Sequence, residues 1–114
     1  MRTIIAGSRN IFDYNLIKEV ISRSKFDISE IISGNAKGVD RLGEKYGREE
    51  LIPVRIMPAF WALYGKKAGF YRNYSMALYS NALIAIWDGS SSGTKHMINI
   101  ARKKKLKIYI QIIE

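Results

Sequence analysis

Ala82-Leu83-Ile84-Ala85-Ile86-Trp87, running directly into Asp88-Gly89-Ser90-Ser91-Ser92-Gly93-Thr94, is the stretch that decides the fold class. Its first six residues are apolar at every position. A strand covered on one face alternates apolar and polar side chains, whereas a central parallel strand is covered on both faces and reads as an unbroken apolar run. The glycine- and serine-rich stretch behind it is loop chemistry, and Met97, Ile100, Ala101 and Lys104 then return in helical register. Strand, loop and helix in that order predict one βα unit of a parallel sheet.

The same unit repeats toward the N-terminus. Thr3 to Ala6 is a short apolar run bounded by Gly7-Ser8. Leu16, Ile17, Val20 and Ile21 then recur on one helical face, with Asp13 or Asn15 available as a cap. Ile28 to Ser33 is a second strand, and Val39, Leu42 and Tyr46 share a helical face up to about Leu51. Pro53 to Met57 is a third strand and Pro58 to Gly65 a longer connection. Lys66 to Ser80 is a helix with Phe70, Tyr74, Ala77 and Leu78 on one side, and Lys107 to Ile113 closes as a fifth strand. The order βαβαβαβαβ implies an α/β class, with a five-stranded, mainly parallel sheet, right-handed crossovers and helices on both faces in three layers. At 114 residues and 47% hydrophobic content, residues 1–114 are expected to form a single domain.

Composition removes several chemistries. There are no cysteines and one histidine, which excludes disulfides and thiolate metal sites and leaves too few imidazoles for most zinc or iron sets; no metal site and no cofactor are expected. Ala82 to Trp87 is the longest apolar run and is far shorter than the roughly 20 residues of a membrane helix. Met1 leads straight into a strand pattern, so a cytoplasmic chain without membrane contact is expected. The formal net charge is +9, of which residues 58–114 carry +7. That field favours anionic partners: a nucleotide, a nucleic acid or an acidic protein.

In such sheets ligands bind outside the carboxyl ends of the strands, where the strand order switches direction. Three loops of this sequence fall there: Gly7-Ser8-Arg9-Asn10, Ser33-Gly34-Asn35-Ala36-Lys37-Gly38, and Asp88 to Thr94. Each combines glycine, which lets a backbone approach a phosphate, with hydroxyl or amide donors ahead of a helix whose N–H groups and dipole attract an anion. Arg9 in the first loop and Arg72-Asn73 on the third helix pattern add donors suited to phosphate oxygens. The plainer alternatives are that the glycines and serines are ordinary turn residues, that Arg9 pairs with Asp13 or Asp40, and that Arg72 is a solvated helix residue.

Seven of the thirteen aromatic residues lie between Phe60 and Tyr79. Core or a homodimer face is the expected role for most of them, with Trp61, Tyr64 and Tyr71 as candidates for stacking a base. Arg102-Lys103-Lys104-Lys105 with Lys107 is expected to be a solvated helix end complementing the dipole, with a nucleic-acid patch as the alternative. His96, in the first turns of the last helix, is expected at the surface or behind the site.

Taken together, Gly7-Ser8-Arg9, Ser33-Gly34-Asn35-Ala36-Lys37-Gly38-Val39-Asp40, Pro58-Ala59-Phe60-Trp61, Arg72-Asn73, Trp87-Asp88-Gly89 and Ser92-Gly93-Thr94 resemble the small YspA-like proteins of the SLOG superfamily. The resemblance implies a Rossmann-like fold and a nucleotide pocket built from these loops. It extends to a phosphoribohydrolase branch, to sensor domains for NAD-derived signals and to DNA-processing proteins of the DprA type. The phosphoribohydrolase branch carries a Pro-Gly-Gly-x-Gly-Thr-x-x-Glu loop whose glutamate works on the ribosyl bond. Here Gly93-Thr94 is followed by Lys95, His96 and Met97, so a thioether stands at the glutamate's position. Of the nearby carboxylates, Asp40, Glu44 and Asp88, the candidates for a relocated acid are Asp40 and Asp88; their alternatives are a ribose-hydroxyl acceptor and a turn cap.

The expected function is therefore binding: a nucleotide, NAD, ADP-ribose or cyclic-nucleotide-like ligand held by a sensor or sequestering protein. The expected ligand residues are Gly7, Ser8, Arg9, Ser33, Gly34, Asn35, Gly38, Asp40, Arg72, Asn73, Asp88, Gly89, Ser91, Gly93 and Thr94. A nucleoside-phosphate N-glycosidase and a single-stranded nucleic-acid binder are the alternatives, and a homodimer or higher oligomer is an expected partner state.

Overall fold

Every strand-like run lies in one sheet of the computed structural model, which describes residues 1–113. The strands β1 (Arg2–Gly7), β2 (Glu30–Ser33), β3 (Val54–Ile56), β4 (Ala82–Trp87) and β5 (Lys107–Ile112) pair in the order β3-β2-β1-β4-β5. All four pairings are parallel, so the sheet is wholly rather than mainly parallel. Thr3 to Gly7 of β1 lie opposite Ala82 to Ile86 of β4. The chain leaves β1 toward β2 on one side and leaves β4 toward β5 on the other. The crevice between the ends of β1 and β4 is thus the switch point of a Rossmann-like sheet.

The unbroken apolar run of β4 follows from burial on both faces. Leu83 and Ala85 join Ile4, Ala6 and Ile32 beneath Met76, Ala77, Met97, Ile98 and Ala101. Ile84 and Ile86 point the other way, with Ile5 and Ile31, onto Ile17, Val20, Ile21 and Val39. The helices α1 (Tyr14–Ser24) and α2 (Val39–Glu49) therefore cover one face, and α4 (Ala68–Tyr79) and α5 (Ser92–Lys103) the other. The period of two in each strand divides the core between the two layers. The helix α1 starts at the first of its two candidate caps: Asp13 accepts a hydrogen bond from the Leu16 amide at 3.2 Å.

The segment read as a plain connection, Pro58 to Gly65, contains a short helix, α3 (Trp61–Tyr64), and a 3₁₀ turn, Gly65–Lys67, leads from it into α4. The facing of α4 also departs from expectation. It buries Ala68, Asn73, Met76 and Ala77, while Phe70, Tyr74 and Leu78 stand in solvent. Apolar residues surround this helix, so its periodicity fits two faces. The chosen one is the side that brings Asn73 onto the third loop. Six of the seven clustered aromatics are exposed, which removes the first of the two roles expected for most of them, core or a homodimer face; Tyr79 alone is half-buried. No helix among the described residues is long and apolar enough to cross a membrane.

Candidate functional site

The first loop is locked before any ligand is considered. Gly7 passes so close to β4 that a Cβ built on it would sit 2.0 Å from the Ile86 carbonyl oxygen. Ser8 is fully buried and joins all three loops: its N–H donates to the Ile86 carbonyl at 3.1 Å, its hydroxyl accepts from the Asp88 N–H at 2.9 Å, and its carbonyl accepts from the Val39 N–H at 3.3 Å. Gly38, at φ 78°, closes the second loop against the first; a Cβ there would lie 2.5 Å from the Ser8 carbonyl oxygen. Both contacts are backbone to backbone, and no rotamer change relieves them.

In the second loop the Ser33 hydroxyl donates to the Glu44 carboxylate at 2.6 Å and accepts from the Asn35 N–H at 3.0 Å, all within the protein. Ser8 and Ser33, both expected to touch ligand, are buried framework instead. The Gly34 carbonyl accepts from Arg72 Nη1 at 2.8 Å, and the missing side chain at Gly34 leaves room for that guanidinium. Arg72 is thus neither solvated nor free. It is half-buried beside Asp40, whose Oδ2 accepts from the Ala36 N–H at 3.3 Å.

Burial pushes the Asp40 carboxyl up to about 6, against the opposing pull of the Ala36 N–H and the Arg72 guanidinium. Near neutral pH it is a carboxylate, and a small drop in pH protonates it. Burial and the neighbouring Arg9 lower Arg72, while Asp40 raises it. A guanidinium nevertheless stays charged in proteins. Arg9 is exposed and has no carboxylate partner among the described residues, whose ion pairs are Arg23–Glu19 and Arg55–Glu30. The alternative pairing of Arg9 with Asp13 or Asp40 is absent.

The third loop is built differently. Asp88 Oδ1 accepts from the Ser90 and Ser91 N–H groups, both at 2.9 Å, and these bonds hold its carboxyl below the ordinary range. Trp87 Nε1 donates to the Ser91 carbonyl at 3.1 Å. Ser91 is the N-cap of α5 but makes no side-chain cap bond, which leaves the first-turn amides of that helix without a capping acceptor. Gly89 turns at φ 85°, and no atom lies within 4 Å of a Cβ built on Gly93.

Asn73 ties the second and third loops together. Its Oδ1 accepts from Arg72 Nε at 3.0 Å, and its Nδ2 donates to the Gly93 carbonyl at 3.3 Å and stands 3.0 Å from His96 Nδ1. His96 is half-buried, its pKa is lowered by burial and by Lys103, and its ring packs against Phe70 at 4.4 Å between centroids. It sits behind Asn73, as expected.

These residues enclose a cleft of about 70 Å³ lined by Gly7, Arg9, Asp40, Arg72, Asn73, Ser91, Gly93 and Thr94 over a floor of Met76 and Met97. A cleft of this size admits a compact anionic group such as a phosphate. Arg9, Ala36 and Arg72 also border an adjoining groove of about 200 Å³ with Gly34, Asn35, Pro58, Ala59 and Trp61. Arg72 borders a third hollow as well, about 490 Å³ between α4 and β3, which holds Tyr64 and Tyr71 edge to face at 4.8 Å. Of the three stacking candidates, Trp61 alone shares a groove with the loop residues. Among the described residues no three His, Asp or Glu side chains gather as metal ligands.

The basic run Arg102 to Lys105 lies at the C-terminal end of α5, whereas Ser91, Gly93 and Thr94 of the cleft lie at its start; at 1.5 Å per residue Arg102 is about 12 Å along the axis from Thr94. Sequence reasoning missed that Arg72 lies beside Asp40 and donates to the Gly34 carbonyl, that Ser33 donates to Glu44, and that Asn73 bridges Arg72 and the Gly93 carbonyl. The one available signal was a polar dipeptide, Arg72-Asn73, inside an otherwise apolar helix.

A family model described as YspA, cpYpsA-related SLOG family matches residues 1–64, from β1 through α3, and so includes the first two loops. Among solved structures, the X-ray structure of DNA processing protein A (DprA) from Streptococcus pneumoniae is similar over 96% of this chain, with a TM-score of 0.78 at 14% sequence identity. The chain spans about half (49%) of that protein's length. No curated protein matches.

Proposed function

Because the chain belongs to the YspA, cpYpsA-related SLOG family, we propose that it is a binding protein for a nucleotide-derived anion, acting as a sensor or by sequestering its ligand. The observation that carries this reading is the cleft itself. Two guanidinium groups, Arg9 and Arg72, flank a phosphate-sized space at the uncapped start of α5, and Arg9 has no carboxylate of its own among the described residues. Exposed first-turn amides and a helix dipole favour a phosphate there, and forked guanidinium donors add charge-assisted hydrogen bonds.

With a phosphate in the cleft, the rest of the ligand extends into the groove that shares Arg9, Ala36 and Arg72, where the Trp61 ring provides a stacking surface. An extended ligand of the NAD, ADP-ribose or cyclic-nucleotide kind suits this arrangement. Above about pH 6 Asp40 accepts from a ribose hydroxyl. Gly93 leaves the cleft wall open, while Ser8, Ser33 and Asp88 shape the loops from behind.

The test is mass spectrometry of any small molecule released from the denatured protein, followed by calorimetric titration of that ligand class. Arg9→Ala and Gly93→Asp each lower affinity at least tenfold; unchanged affinity in both overturns the site.

A second reading has one observation in its favour. A carboxyl raised to about 6 inside a cleft is suited to proton transfer near neutral pH, and Asp40 is then the acid of an N-glycosidase. Release of free base from a nucleotide panel, abolished in Asp40→Asn, replaces the binding reading with this one. Salt-dependent binding of oligonucleotides without binding of mononucleotides moves the function to single strands instead.

A further inference from the structure

Arg72 stands where three hollows meet. The groove shares Arg9, Ala36 and Arg72 with the cleft, and it shares Pro58 and Arg72 with the hollow between α4 and β3. The three therefore follow one another around a single side chain. The proposed ligand occupies the first two and leaves the third, at about 490 Å³ the largest of them, without a role. That volume lies within the roughly 300–1,000 Å³ of small-molecule sites.

The walls of this hollow narrow what fits there. Phe60, Tyr64 and Tyr71 line it with Met57, Pro58 and Ala68, and among the described residues no carboxylate does. Tyr64 and Tyr71 meet edge to face, with 75° between their planes, which leaves ring faces open to a third aromatic group. The two cations at the hollow are engaged elsewhere. Arg55 pairs with Glu30 at 3.3 Å and lies over the Tyr79 ring, 4.7 Å from its centroid. Arg72 directs Nε to Asn73 and Nη1 to the Gly34 carbonyl, which holds its guanidinium against the cleft loops. The hollow thus suits a flat, uncharged ring better than a second phosphate.

Its rim supplies polar groups for such a ring. The strand β3 is at the edge of the sheet. Pro53 and Met57 bond to β2 through the Ile31 N–H and the Ser33 carbonyl. By the strand's period of two, Ile56, which borders the hollow, turns its N–H and C=O to the free edge. One donor beside one acceptor matches the acceptor and donor on the edge of a base or of a carboxamide such as that of nicotinamide.

We infer that the hollow between α4 and β3 receives the second base of a ligand in which two nucleosides are joined through phosphate, the first base lying on Trp61. This rests on the nucleotide reading and narrows it to two-base ligands.

Calorimetric titration of the full chain with NAD, diadenosine diphosphate, ADP-ribose and AMP tests it. At least one of the two-base probes binds tenfold or more tightly than ADP-ribose, which has the same diphosphate and one base, as expected for one more stacked ring. Tyr71→Ala and, independently, Tyr64→Ala each reduce that advantage at least fivefold. Leu78→Ala, on the exposed side of α4 and outside the hollow, leaves it within twofold, and circular dichroism verifies that each variant is folded. Equal affinity for two-base probes and ADP-ribose, or an advantage that survives both tyrosine variants, overturns the inference while the nucleotide reading stands. Binding of none of the four probes overturns both.

Discussion

The second and third strand-to-helix loops carry similar residues and obey different constraints. In the second, Gly34 and Gly38 are buried, and a Cβ on either meets another part of the protein within 2.5 Å: the Arg72 guanidinium at Gly34 and the Ser8 carbonyl at Gly38. In the third, Gly89 and Gly93 are exposed and a Cβ on either meets nothing within 4 Å. One set of glycines lets loops close on each other. Gly93 keeps space open at the start of a helix. The same residue type thus serves packing in one loop and access in the other, and the difference lies in what approaches from elsewhere in the chain.

Gly38→Ala is the strongest way to break this comparison. It combines a backbone conformation that side chains rarely adopt with a backbone overlap, and about 3–5 kcal/mol of stability is lost in a denaturant titration. A loss as small as that at Gly93 removes the distinction between the loops.

The next effect is electrostatic. Asp40 titrates at about 6 in the folded chain against 3.8 unfolded, so between those values the native state binds the extra proton. Its contribution to stability therefore rises as pH falls from 6 toward 4 and is flat above about 7. The gain is about 2–3 kcal/mol. Subtracting the pH profile of Asp40→Asn isolates it, because the other carboxylates, including Asp88 with its opposite shift, are common to both proteins.

Arg9→Ala separates affinity from stability. An exposed cation without an ion-pair partner contributes within about 0.5 kcal/mol to folding, while its loss costs a bound phosphate about 1.5–3 kcal/mol, read by calorimetry. The smallest effect is that of Gly93→Ala. Stability changes by less than about 1 kcal/mol, in the favourable direction expected of alanine in a helix, and thermal melting measures it; a loss comparable to that of Gly38→Ala reveals a neighbour to Gly93 and places both glycines in the packing class.

Much of the fold was legible because its signals are local. The all-apolar β4, the Gly7 and Gly38 punctuation and the 3.6-residue periodicity of α1 and α2 each express how a short segment buries itself. The gathering of three loops at one edge followed from the parallel order alone. Ambiguity entered where a segment was apolar on every side. On α4 the residues Phe70, Tyr74 and Leu78 formed as good a stripe as Met76 and Ala77, and only Asn73 reaching Gly93 distinguishes the faces. The three short polar side chains of the loops were equally ambiguous. Ser8, Ser33 and Asp88 are as suited to a ligand as to a neighbouring amide, and each hydrogen-bonds within the protein framework.

The sequence by itself determined the parallel α/β order, the edge at which the glycine loops collect and the positive second half, since these depend on periodicities and counts within contiguous stretches. Only the tertiary structure decided which groups face the cleft. Arg72 meets Gly34 across 38 residues and the Asp88 amide meets Ser8 across 80. Hydrogen bonds and desolvation act on whatever chain segments the sheet brings together, so no local pattern records those pairings.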